Sequence, residues 1–167
     1  MLDLRQKCMS RLLVIVCGFT VACVSEPVPS TTPLPQTLPA TEDTAPAVLE
    51  ASPRHGEWVA VELPGSDVPV KTWVVYPERS GKAPIVLVIH EIYGLTEWVR
   101  AVADQFAAEG FIAVAPDLLS GIGPNGGGTD AFGSRDEAVK AILALEPDER
   151  TRRLDAVRAY ALDIPAG

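Results

Sequence analysis

Cysteine is scarce in this chain of 167 residues: the three present are Cys8, Cys17 and Cys23, all near the start. Nothing after Cys23 can form a disulfide, a CxxC redox pair or a thiolate zinc site. Histidine is scarcer, with only His55 and His90. The stretch H-E-I-Y-G at residues 90–94 therefore lacks the second histidine of an H-E-x-x-H zinc protease. Positive charge is also short. Fourteen Lys and Arg stand against 22 Asp and Glu, a net charge of −8, and no basic stripe offers itself to phosphate. A nucleic-acid partner is excluded on that ground. The glycines at 126–128 are not followed by Lys-Ser/Thr, so they form no P-loop, and no G-x-G-x-x-G follows the apolar run at 85–89. Ser120 lacks the preceding glycine of a G-x-S-x-G elbow. No internal repeat is visible, and no cofactor is expected.

The longest apolar run, L-L-V-I-V-C-G-F-T-V-A at 12–22, is too short for a membrane-spanning helix, which needs roughly 20 residues. It follows Arg5, Lys7 and Arg11 and ends in small residues, which describes a secretory signal peptide over 1–22. The end, T-V-A-C, resembles the lipobox of bacterial lipoproteins, in which the cysteine is lipidated; this implies a lipid anchor at Cys23. Plain cleavage nearby, with Cys23 incidental, is the alternative. Export from a bacterial cytoplasm is expected on either reading, to the periplasm or to a lipid-anchored position on the outer membrane. Residues 24–53 hold seven of the fifteen prolines, interleaved with Ser and Thr and without apolar period. Such composition favours extended conformations over a core, so 23–54 reads as a tether and the folded domain as 55–167.

Within the domain, residues 56–63 and 68–77 are rich in strand-forming residues and flank the turn P-G-S-D, which predicts a hairpin. I-V-L-V-I at 85–89 is apolar without alternation, as in a strand covered on both faces of a mainly parallel sheet. Thr96 can cap a helix running to Glu109 and stopping at Gly110, with Val99, Val102 and Phe106 on one side. F-I-A-V-A at 111–115 is a further strand, completing a βαβ unit. A long flexible loop follows. Ser134 opens a helix with a capping box, S-R-D-E, and Pro147 begins the last helix, where Leu154, Val157 and Ala161 share a face.

Ligands of open α/β sheets bind at the carboxyl ends of strands, where His90, Glu91, Ile92, Pro116 and Asp117 stand. Polar residues there also arise simply because the chain meets water. The stretches I-V-L-V-I-H-E-I-Y-G-L and W-V-R-A-V-A-D-Q-F-A-A-E-G-F-I-A-V-A-P-D-L-L resemble the dienelactone hydrolase (carboxymethylenebutenolidase) family over roughly 56–167. The resemblance implies an α/β-hydrolase fold, N-terminal part only: a β-hairpin followed by βαβ units. It implies hydrolysis of ester or lactone bonds of a small molecule, with Glu91 assisting a nucleophilic cysteine and the backbone N–H of Ile92 as half of an oxyanion hole. His90 and Tyr93 become substrate-pocket candidates, with His90 shaping the site rather than acting as a base. Gly94 allows a tight turn, and Pro116-Asp117 shapes a loop rather than performing acid–base work.

The family's nucleophile elbow, acid and histidine would come after D-I-P-A-G, the last residues of this chain. The expectation is therefore the N-terminal half of a hydrolase, inactive by itself. The alternative is a non-catalytic surface lipoprotein that uses a hydrolase half as a binding module. A free-standing nucleotide-binding domain has no phosphate-cradling motif to support it.

Overall fold

The structure is a computed structural model and describes residues 39–165 and 167. The expected signal peptide at 1–22, Cys23 and the expected tether as far as residue 38 lie outside the described residues. Strands β1 (Gly56–Val61), β2 (Val70–Val75), β3 (Ile85–Leu87) and β4 (Ile112–Pro116) form one sheet in the order β1-β2-β4-β3. The expected hairpin is present: β1 and β2 pair antiparallel, from Gly56 opposite Val75 to Val61 opposite Val70. β2 pairs antiparallel with β4, and only β3 and β4 are parallel, so the sheet is mixed among the described residues rather than mainly parallel. Between β3 and β4 the chain forms α2 (Glu97–Ala108), which completes the expected βαβ unit.

Alternation along β4 builds both layers of the core. Ile112 and Val114 face one side with Val61, Val70 and Val74, and there they meet Val157 and Ala161 of helix α4 (Pro147–Leu162). Ala113 and Ala115 face the other side, against Val99, Ala103 and Ala107 of α2. Alanines on both surfaces let helix and sheet approach closely. The buried stripe of α2 thus runs through Val99, Ala103 and Ala107 and leaves Phe106 exposed, stacked edge-on against Phe111. Thr96 caps α2 as expected, its hydroxyl accepting the Val99 N–H.

Three expectations change. The apolar run at 85–89 is not covered on both faces. β3 is an edge strand among the described residues; its three residues are half-buried and Ile89 is 57% exposed. The order places β4, not β3, in the sheet interior. Second, structure begins before His55: a short helix, α1 (Ala45–Glu50), packs on α2 with Ala45 fully buried. Behind it, Ser52 and Arg54 both bond to the buried Asp104 of α2. That hydrogen bond, with the charge of Asp104 adding to it, raises the already high pKa of Arg54 against the opposing effect of burial. An acidic residue on an otherwise apolar helix face is what fastens this segment. Third, the loop after Pro116 is packed at its start, with Leu118, Leu119 and Ser120 buried, while residues 124–126 are exposed. Arg153 of α4, itself buried, donates to the carbonyls of Leu118 and Ser120 from below. Helix α3 (Arg135–Ala144) follows with Ser134 as its cap; Glu137 reaches back past Ser134 to the Gly133 N–H, a shifted form of the expected box.

Candidate active site

The turn at residues 90–94 is held from beneath. His90 is 7% exposed. Its Nε2 accepts from the Leu118 N–H at 3.1 Å, so the ring carries its proton on Nδ1, which donates to the Glu91 carbonyl at 2.7 Å. With both nitrogens committed, His90 is a prop between two strand ends rather than a wall of the pocket. His90 does not line the cavity in front of Glu91, whereas Tyr93 does.

Asp117 supplies the second prop. Its Oδ1 accepts from the Leu119 N–H and the Thr129 hydroxyl, and its Oδ2 accepts from the Thr129 N–H, at 2.7–3.0 Å. Thr129 in turn accepts the Leu95 N–H at 2.9 Å, so a polar chain runs from the end of β4 through the loop to the turn after β3. Every oxygen of the Asp117 carboxylate faces such a donor, which agrees with a loop-shaping part. Gly94 sits at the crossing of these bonds with φ +83°, and a Cβ there would meet Thr129 Oγ1. The glycine is required twice, by the left-handed conformation and by the close approach. Sequence reasoning found Gly94 and Asp117 but missed Thr129, because nothing local links a threonine in a glycine-rich loop to a turn 35 residues earlier.

On the outer side of the turn stand the residues of interest. Glu91 is exposed, and its Oε2 accepts the Tyr93 N–H at 3.0 Å. Ile92 is 47% exposed, and its N–H donates to no group among the described residues. Glu91 and Tyr93 line a cavity of about 320 Å³ together with Thr96, Trp98 and Glu42. Ser120 is not a nucleophile in waiting. Its hydroxyl donates to the Asp117 carbonyl at 2.6 Å, accepts the Lys71 N–H at 2.8 Å and is buried. Among the described residues no group of His, Cys, Asp and Glu is arranged to hold a metal ion.

The sequence profile of the dienelactone hydrolase family matches residues 70–166. A provisionally named hydrolase fragment of Escherichia coli (strain K12), YghX, is 39% identical over 75 residues, which are 44% of this chain and 64% of that one. A provisionally named carboxymethylenebutenolidase of Azospirillum brasilense is 43% identical over 55 residues, 33% of this chain and 24% of the relative. Among solved structures, a provisionally named dienelactone hydrolase of Klebsiella pneumoniae subsp. pneumoniae MGH 78578 superposes with a TM-score of 0.56. It is 22% identical and covers 68% of this chain and 45% of its own, a likeness of fold. The chain thus spans only part of the length of the proteins it matches. On the profile that runs from the start of β2 to just beyond α4, the chain belongs to the dienelactone hydrolase family.

Proposed function

We propose that this chain carries the oxyanion-binding and nucleophile-activating half of an active site that hydrolyses ester or lactone bonds. The observation that supports this best is the pairing, on one braced turn, of an unbonded N–H at Ile92 with the exposed carboxylate of Glu91. In acyl transfer a nucleophile adds to the ester carbonyl and the carbonyl electrons move onto oxygen. A preorganised N–H aimed at that oxygen lowers the barrier. Glu91 would draw the proton from the attacking thiol. The adduct then collapses with cleavage of the ester C–O bond, and the leaving oxygen takes up that proton (in a lactone it stays tethered to the acyl group). Water attacks the thioester, releasing the acid and restoring the thiol. The nucleophile, its base and the second N–H are assigned to sequence that the longer relatives have and these 167 residues do not contain.

The experiment compares the 167-residue chain with a version extended by a relative's C-terminal half, on small lactones and activated aryl esters. The extended form is expected to turn over, and Glu91→Ala to lower its kcat by roughly a hundredfold while changing KM little. An extended enzyme indifferent to Glu91→Ala sinks the assigned role. Turnover by the 167-residue chain, abolished by Glu91→Ala, sinks the need for a nucleophile from elsewhere.

A non-catalytic binding module is the second reading. The commitment of the Ser120 hydroxyl to two backbone groups favours it, because that buried serine is not free to attack. On either reading we propose export by the segment at 1–22 and lipidation at Cys23. Labelling with a lipid precursor should mark the wild type and fail on Cys23→Ala; label retained by the variant overturns the anchor.

A further inference from the structure

We infer that the segment at residues 40–44, which precedes the matched family domain, is a wall of the substrate pocket and selects groups that carry no negative charge. This rests on the proposed function, whose site it specifies further. The cavity in front of Glu91 has about 320 Å³, room for a small acyl or alcohol group, and Glu42 lines it together with the turn residues Glu91 and Tyr93.

The segment is fastened at two points. The Trp98 indole N–H donates to the Ala40 carbonyl at 3.0 Å, and Glu42 pairs with Arg135 at the start of α3. The Arg135 guanidinium also lies 5.2 Å from the ring of Tyr93. Further along, Ala45 is fully buried where α1 docks on α2, so the wall has a rigid base.

The lining decides the chemistry. It comprises two carboxylates, Glu42 and Glu91, two aromatic rings, Tyr93 and Trp98, and Thr96. No lysine or arginine is among these residues, and the nearby Arg135 is held by Glu42 and Tyr93. The start of α2 would ordinarily attract an anion, but the Thr96 hydroxyl already accepts the Val99 N–H and Glu97 occupies the first turn. A carboxylate guest would face Glu91 without a counter-charge. An uncharged apolar group meets two ring surfaces, each more than a third exposed, and a quaternary ammonium gains both the rings and the Glu91 carboxylate. The substrate class is therefore esters or lactones without a free carboxylate near the reacting bond, with neutral or cationic aryl groups favoured.

The test is binding, which needs no turnover. The indole N–H resonance of Trp98 in the full 167-residue chain, assigned by its loss in Trp98→Phe, is titrated with phenyltrimethylammonium and with benzoate. The ammonium should bind at least roughly tenfold more tightly than benzoate. Glu91→Gln should cut that preference to about threefold, and the pair Glu42→Ser with Arg135→Ser should weaken both probes by releasing the wall. Benzoate binding as tightly as the ammonium, no response to either probe, or a preference untouched by Glu91→Gln overturns the inference. Failure of the extended enzyme to hydrolyse any ester would sink the proposed function and leave this selectivity intact. Efficient hydrolysis of carboxylate-bearing lactones would do the reverse.

Discussion

Gly94 meets two demands at once, and Gly81 meets only one of them. Its φ of +83° disfavours any side chain, and a Cβ would also press on the Thr129 hydroxyl. Gly81 has φ +87° with nothing within 4 Å of where a Cβ would stand. Gly81→Ala therefore isolates the conformational cost, about 1–2 kcal/mol. Gly94→Ala should cost more, by roughly a further 1–3 kcal/mol, because Thr129 cannot retreat without losing its bonds to Asp117 and Leu95. Urea midpoints of the two variants measure the difference. Equal losses would mean that the polar chain behind the turn is softer than its geometry implies.

At the scale of elements, α4 is tied to the site through Arg153. That side chain spends its Nε on Glu149 at 2.7 Å and its Nη1 on the loop carbonyls that lead to Asp117. The hydrogen bond from Arg153, seconded by Arg152 and opposed by burial, holds the Glu149 carboxyl below the usual carboxylate range. A carboxyl whose pKa is depressed on folding contributes stability above its unfolded pKa, about 4.3, and loses it as pH falls through the folded value. Glu149→Gln should accordingly lower stability at pH 7 and match the wild type in strong acid. Urea titrations at the two extremes check this, and a constant difference between them would refute it. The same ion pair explains why α4 is helical despite being polar over most of its surface: Pro147 starts it, and Glu149 bridges to Arg152 and Arg153 one turn on.

For the whole molecule the edge strand dominates. β3 pairs with β4 on one side and with nothing on the other among the described residues, and Ile89 and Ile92 are exposed at its end. An apolar edge with free backbone groups invites pairing with another chain. The 167-residue chain should associate as its concentration rises in sedimentation velocity, and Ile89→Lys should reduce that association. A chain that stays monomeric and unfolds cooperatively would show that the edge is protected. Extension by a relative's C-terminal half should suppress association as well, if the added residues cover β3.

Much of this was legible in the residues themselves. Caps and apolar period placed α2 between its strands, because Thr96 and Gly110 act within one turn of the helix ends. The run of motif residues from His90 to Gly94 and the Pro116-Asp117 pair marked two strand ends, since a parallel pairing must bring both to the same end of the sheet. Other features needed the tertiary structure. The apolar run at 85–89 has the composition of an interior strand, yet interior and edge differ only in which neighbours are present. Residues 39–54 have the composition of a tether, yet one buried carboxylate, Asp104, gathers Ser52 and Arg54 and brings α1 onto α2. His90 could have faced the pocket or the core, and only the approach of the Leu118 N–H decided it. Sequence determines which residues can make local bonds. Contacts between residues dozens of positions apart form only once packing has brought their backbones together, so their partners could not be read in advance.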